Sequence, residues 1–282
     1  MTDSHDQGDS PAERLRGRPA LSVIRSWVAQ ESDPERLAEW VSAIASDPRK
    51  GAQALAEQWS RRRANVMAER ARVAGLFASQ KVIAAQGFRC IAGIDEVGVG
   101  PLAGPVVAAA VVLPERFDLP GLNDSKKLSP ASRERLAAQI RDCCRAFSLG
   151  EVSPEEIDRR NILQATLEAM RRAVTDLCQE VAVDHLMVDA RRIPGVSLPQ
   201  TPLIHGDAID GSIAAASIVA KVYRDSLMQN FDHQYPGYGF ARHMGYGTAE
   251  HLAALRRLGP TPIHRRSFAP VASLLGRSTQ DG

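Results

Sequence analysis

The stretch that decides the fold is Phe88-Arg89-Cys90-Ile91-Ala92-Gly93-Ile94-Asp95-Glu96-Val97-Gly98-Val99-Gly100-Pro101-Leu102-Ala103-Gly104-Pro105, followed at once by Val106-Val107-Ala108-Ala109-Ala110-Val111-Val112-Leu113. An apolar run of strand character ends in two adjacent carboxylates, and a loop punctuated by glycine and proline follows. The second apolar run is β-branched-rich and too short for a helix, so it reads as a second strand. Two acids at a strand end, beside backbone with little side-chain cover, suit a hard cation and a phosphate. Oxygen ligands match Mg²⁺ or Mn²⁺, and bare glycine N–H groups can approach an anion or a sugar hydroxyl.

Two other readings compete for the same residues. Gly98, Gly100 and Ala103 fit the dinucleotide fingerprint G-x-G-x-x-G/A, with Asp124 downstream. That fingerprint needs a helix to open at the second glycine, and here Pro101, Pro105 and a β-branched run follow instead. The plainer reading is a hairpin with a solvated Asp-Glu at its rim. The rest of the chain decides between them.

A chain of 282 residues holds one sizeable domain and something smaller. With 44% apolar and 24% charged residues it has a globular composition, and a net charge of +2 permits a nucleic-acid partner without demanding one. Cys90, Cys143, Cys144 and Cys178 lack C-x-x-C spacing and read as reduced thiols. No apolar run is long enough to span a bilayer, and the polar start is no signal peptide. These features predict a cytoplasmic protein without a membrane partner, and a monomer is expected.

Residues 1–18 read as a polar, disordered tail and residues 19–87 as a helical N-terminal extension. There Leu21, Ile24 and Val28, then Leu37, Trp40, Val41 and Ile44, then Ala52, Leu55 and Trp59 recur at helical spacing. Arg61-Arg62-Arg63 read as a solvated face, with nucleic-acid contact as the minority alternative. From residue 88 strands and helices alternate: strands near 89–96, 104–113, 145–151 and 185–189, and helices near 129–143, 162–181 and 211–231. Ser129-Pro130 and Ser153-Pro154 look like N-cap followed by first-turn proline. The small residues Ala214, Ala215, Ala216, Ser217 and Ala220 let the last helix lie close to a sheet. The class is α/β with a mixed sheet flanked by helices.

Three predicted strand ends carry acids: Asp95-Glu96, Asp189 and Asp207. Open α/β sheets bind ligands at the carboxyl ends of their strands, and neighbouring strands lie ~5 Å apart. Four carboxylates so gathered repel one another, and divalent cations make the arrangement tolerable. Two such ions ~3.5–4 Å apart clamp the attacking and leaving oxygens in phosphoryl transfer.

These acids and their flanks resemble ribonuclease HII. The likeness runs through Gly93-Ile94-Asp95-Glu96-Val97-Gly98-Val99-Gly100-Pro101-Leu102-Ala103-Gly104-Pro105, Asp124-Ser125-Lys126-Lys127-Leu128-Ser129, Val188-Asp189-Ala190, Gly206-Asp207, Gly245-Tyr246-Gly247-Thr248 and His264-Arg265-Arg266-Ser267-Phe268. It covers residue 88 to the end, and the helical start resembles the extension of some bacterial members. The resemblance implies a ribonuclease H-like fold and cleavage of the RNA strand of RNA–DNA hybrids, leaving 5′-phosphate and 3′-hydroxyl ends. Ribonucleotides embedded in duplex DNA would be cut on their 5′ side. It further implies that Asp95, Glu96, Asp189 and Asp207 hold two Mn²⁺ or Mg²⁺ ions, and that Gly98, Val99 and Gly100 contact the 2′-hydroxyl. Tyr246 would stack on the next sugar, and Ser125, Lys126 and Lys127 would bind substrate. Lys221, Arg224, Arg265 and Arg266 could face hybrid or solvent, and His205 reads as a phosphate neighbour or a simple filler.

Three positions depart from the family pattern. Val99 replaces an arginine, Met244 a lysine and Asp210 a serine, all read as weakening charge along the substrate path. They leave open a hybrid-binding module without turnover, and an end-dependent exonuclease is the alternative within nucleases.

Overall fold

Helix signals and apolar spacing account for the first of two units into which the chain divides, Met1–Arg72 and Val73–Gly282. The computed structural model describes residues 10–31 and 33–277. The first unit holds α1 (Pro11–Leu15), α2 (Leu21–Gln30) and α3 (Pro34–Ala45), and α4 (Lys50–Gly75) carries the chain across the division. Asp33 caps α3 by accepting from the Glu35 amide, with Pro34 in the first turn. Ile24, Val28, Leu37, Trp40, Ile44, Leu55 and Trp59 form its core, at the positions the helical spacing selects. Of the basic run, Arg62 lies over the Trp59 ring and Arg63 donates to the Pro34 carbonyl. Of the expected tail, residues 1–9 lie outside the described residues, whereas α1 occupies part of 10–18.

By compactness the division falls after Arg72, and Val73 and Phe77 are buried in the core of the second unit. After α5 (Ala78–Ala85) come β1 (Ile91–Val97), β2 (Val106–Val112), α6 (Pro130–Cys143), β3 (Ala146–Val152), α7 (Pro154–Arg160) and α8 (Ile162–Glu180). Then follow β4 (His185–Asp189), β5 (Gln200–Leu203), α9 (Gly206–Ile209), α10 (Gly211–Gln234), α11 (Phe240–His243), α12 (Ala249–Leu258) and α13 (Ala269–Arg277). The sheet order is β3-β2-β1-β4-β5. β1, β2 and β3 pair antiparallel, while β1, β4 and β5 run parallel, giving the mixed sheet expected.

Period-two alternation splits the core into two layers. Ala92, Ile94, Val106, Ala108 and Ala110 face α8, and Val107, Ala109 and Val111 face α6 and α10. α10 lies so close to β1 that a Cβ on Gly93 would sit 2.1 Å from the Ser212 carbonyl carbon. Only glycine fits there. The buried run Ala214, Ala215, Ala216 and Ala220 continues that approach. No helix among the described residues is long and apolar enough to cross a membrane.

Candidate active site

Ile94 of β1 is in register with Val188 of β4, so Asp95 and Asp189 follow side by side where two parallel strands end. One carboxylate oxygen from each of Asp95, Glu96 and Asp189 lies within 4.8 Å of the others. Asp95 is 5% exposed and points to the α10 face, where Ser217 gives it a hydrogen bond. Asp189 Oδ1 accepts the Gly206 amide at 2.7 Å.

Burial, then repulsion from Glu96, pushes the Asp95 carboxyl well above the usual carboxylate range. Burial and Asp189 push Glu96 up to about 7. Burial also raises Asp189, with the Gly206 amide opposing and Asp207 adding repulsion. Clustered oxygen donors, partly or wholly buried, that resist ionising together are a fit for a hard divalent cation.

Asp207 is a correction to the expected layout. β5 stops at Leu203, His205 takes a left-handed conformation (φ 56°), and Asp207 stands in α9 rather than at a strand end. Its carboxylate lies outside the tight trio and accepts from Lys126 Nζ at 2.8 Å. That bond raises the Lys126 ammonium, and Asp95 adds attraction. One lysine thus serves as counter-charge at the edge of the acidic site. Asp207 remains near enough to Asp189 to repel it.

Ser125, expected at the substrate, is buried and shares a 2.9 Å hydrogen bond with Ser217, the residue that supports Asp95. Lys127 is exposed. No helix opens at Gly100; the chain runs from 98 to 105 as a loop into β2, so the dinucleotide reading lacks its structural requirement. Val99 and Gly100 are exposed. A Cβ on Gly100 would lie 3.5 Å from the Tyr246 ring, which is 46% exposed. The glycine loop and the tyrosine, 146 residues apart in sequence, therefore form one surface.

Two departures from the family pattern lie off that surface. Asp210 is fully buried and caps α10, accepting from the Ser212 and Ile213 amides and the Ser212 hydroxyl. Met244 packs with Met228, Tyr238 and Phe240. Only Val99 stands exposed, at 39%.

Of the basic residues that the sequence left ambiguous, three take internal roles, while Arg266 is exposed. Arg224 and Arg265 are fully buried, and Lys221 pairs with Asp225. His251 and His264 are buried beneath the tyrosine loop. The Thr261 amide donates to His264 Nδ1, which leaves the proton on Nε2 to reach His251 Nε2 at 3.0 Å. His251 Nδ1 then donates to the Tyr246 carbonyl at 2.8 Å.

The crystal structure of ribonuclease H2 from Pyrococcus horikoshii OT3 is similar over 68% of this chain and 100% of that one, with a TM-score of 0.59 and 26% identity. Sheet, acids and likeness together define a metal-dependent nuclease of the ribonuclease H type. The family model for ribonuclease HII matches residues 92–271, and that for the ribonuclease HII N-terminal domain matches residues 21–81. Ribonuclease HII of Geobacillus thermodenitrificans is 53% identical over 246 residues, 87% of this chain and 92% of that protein. The Desulfitobacterium hafniense (strain Y51) enzyme is 49% identical over 261 residues, 93% and 99% of the two chains. The chain belongs to the ribonuclease HII family, endoribonucleases of RNA–DNA hybrids.

Proposed function

We propose that the enzyme cuts the RNA strand of hybrids and also incises duplex DNA on the 5′ side of an embedded ribonucleotide, leaving 5′-phosphate and 3′-hydroxyl ends. The observation that carries this reading is the pairing of a carboxylate trio, Asp95 buried and Glu96 and Asp189 half-buried, with an exposed loop-and-tyrosine surface in one unit. Asp95, Glu96, Asp189 and Asp207 would hold two Mg²⁺ or Mn²⁺ ions. Such ions supply neutralisation of phosphate charge and activation of water for in-line attack.

The remaining work falls to the chain itself. Ser217 and the Gly206 amide fix the directions of Asp95 and Asp189. The Lys126 side chain is 80% exposed while it caps Asp207, so it can exchange that carboxylate for a substrate phosphate. The amides of Val99 and Gly100 would read the 2′-hydroxyl, the one group that separates RNA from DNA at a single sugar. Tyr246 would stack on the neighbouring deoxyribose.

The test is incision of an end-blocked duplex carrying one ribonucleotide, with Mg²⁺ or Mn²⁺, by wild type and Asp95→Asn. A single cut 5′ of the ribonucleotide is expected, slowed about 10³-fold in the variant. Digestion only from a free end, or an undiminished rate in Asp95→Asn, would refute the reading.

A further inference from the structure

Arg224 of α10 and Arg265 are both 0% exposed, and what they bind is backbone. Arg265 donates from Nη1 to the Val99 carbonyl (2.9 Å), from Nη2 to the carbonyls of Gly98 and Gly104, and from Nε to Gly104 again (3.0 Å). Arg224 donates from Nε to the Pro105 carbonyl (2.9 Å), from Nη2 to Ala103 (3.0 Å) and from Nη1 to Met244 (3.0 Å). Five carbonyls of the 98–105 loop, and one from the segment that leads into Tyr246, thus converge on two guanidinium groups.

This convergence orients the loop. All peptide bonds among the described residues are trans, so a carbonyl that points inward turns the next amide outward. The inward carbonyls of Gly98 and Val99 therefore direct the N–H groups of Val99 and Gly100 away from the core. Both residues are exposed, and neither amide donates to an acceptor among the described residues. The glycines answer to the same packing. Gly98 has φ +90°, and a Cβ there would sit 2.2 Å from Arg224 Nε.

The charge is as informative as the geometry. Burial lowers both guanidinium groups, to about 10 and about 9, which leaves them cationic at neutral pH. Residues 98–105 carry no cationic side chain. Positive charge thus lies beneath a loop whose outer face offers only backbone donors.

We propose that Arg224 and Arg265 are positioning residues for ribonucleotide recognition. They hold the Val99 and Gly100 amides outward toward a ribose 2′-hydroxyl and its adjoining phosphate, and they supply from below the positive charge that the loop itself lacks. This rests on the recognition surface assigned under the proposed function. Neither arginine touches substrate; each acts through the loop.

The decisive variant is Arg265→Lys, which keeps the charge and loses the planar fork. Anisotropy titrations without divalent ion compare a duplex bearing one ribonucleotide with its all-deoxy counterpart. A site built to hydrogen-bond a hydroxyl discriminates strongly against the analogue lacking it, so the ribo-to-deoxy affinity ratio should fall about tenfold in the variant. KM for the ribo duplex should rise while kcat stays within about twofold. A purely structural role would reduce the active fraction and leave the ratio unchanged, and that result would overturn the proposal. Should the variant fail to fold, the wild-type protein gives the answer by NMR. The Nε–H resonances of Arg224 and Arg265 should shift on adding the ribo duplex and stay in place with the all-deoxy duplex; identical responses would overturn it. Failure of the underlying reading looks different, because wild type would then show no preference for the ribo duplex and no incision.

Discussion

At Asp95, Glu96 and Asp189 acidic groups are gathered, one buried and two half-buried, short of counter-charge, whereas at Arg224 and Arg265 positive charge is fully buried with its donors matched to carbonyls. The acids lift one another out of the ordinary carboxylate range. The guanidinium groups stay cationic at a cost that six backbone acceptors offset. The two regions adjoin in sequence, since the loop begins two residues after Glu96. The contrast separates what must be completed from outside from what the fold completes itself. A cluster short of counter-charge suits a cation ligand, and a charge saturated by backbone suits a scaffold.

The largest expected effect breaks the first half of this contrast. Asp95→Asn should lower incision by about 10³-fold, equivalent to ~4 kcal/mol of barrier, yet stabilise the metal-free protein. The sign follows from the raised carboxyl. An acid whose folded pKa lies above its unfolded value gives full stability below the unfolded value and loses it as pH rises. At neutral pH the gathered acids therefore cost stability, and a neutral amide at position 95 relieves part of it. Thermal melts in chelator at pH 7 should place the variant above wild type. A variant melting at or below wild type would mean that the carboxylates are already compensated.

Gly98→Ala tests the second half. The added methyl meets Arg224 Nε and the Pro105 carbonyl oxygen at a backbone angle that favours glycine. Left-handed strain and overpacking together should cost about 3 kcal/mol, read as a lower denaturant midpoint with an unchanged slope. An unchanged midpoint would show that the loop is not held by the arginine beneath it.

How much of this was legible in the sequence depends on whether a residue declares its surroundings. Ile94-Asp95-Glu96 and Val188-Asp189 are apolar runs ending in acids, so strand and charge could both be read from them. Asp207 could not be placed, because the turn after Leu203 depends on the left-handed conformation of His205, which is uncommon for any residue other than glycine. Arg224 and Arg265 were opaque for a deeper reason. A surface arginine and a buried one look alike until the carbonyls that satisfy it are known, and those of residues 98–105 lie more than 100 positions away. Ser217 was visible only as a small residue on a closely packed helix, and Asp210 looked like a substrate-path charge although its partners are amides two and three residues ahead. In each case the missing knowledge was the tertiary partner, not the chemistry of the residue.

The self-completed region should also fail when its donors and acceptors stop matching. In the chain from Thr261 through His264 and His251 to Tyr246, each imidazole accepts at one nitrogen and donates at the other. Burial, then the neighbouring His251, lowers His264 to about 4. For a group that is neutral when folded and protonates more readily when unfolded, stability is full above pH 6.5 and lost as pH falls toward about 4. The loss from His264 is roughly 3 kcal/mol across that window. Denaturant midpoints from pH 7 to 4 should show this slope in wild type and lose it in His264→Asn. The same slope in both proteins would break the assignment.

The smallest effect sharpens the contrast at its border. Val99 is the exposed one of the three positions read as departing from the family pattern, and Val99→Arg would add to the outer face a cation that the guanidinium pair now provides only from beneath. A charge-assisted contact contributes ~1.5–3 kcal/mol when well formed. Solvent exposure and repulsion from the pair below reduce this to ~1 kcal/mol, a fewfold lower KM for the ribo duplex with kcat unchanged. Because a phosphate contact releases a counterion, log affinity against log salt should steepen by about one unit. A steeper salt slope without a lower KM would show that the new charge meets phosphate away from the scissile sugar. If neither quantity moved, the charge beneath the loop would already satisfy the phosphate, and the missing side chain would be a replacement the fold has absorbed.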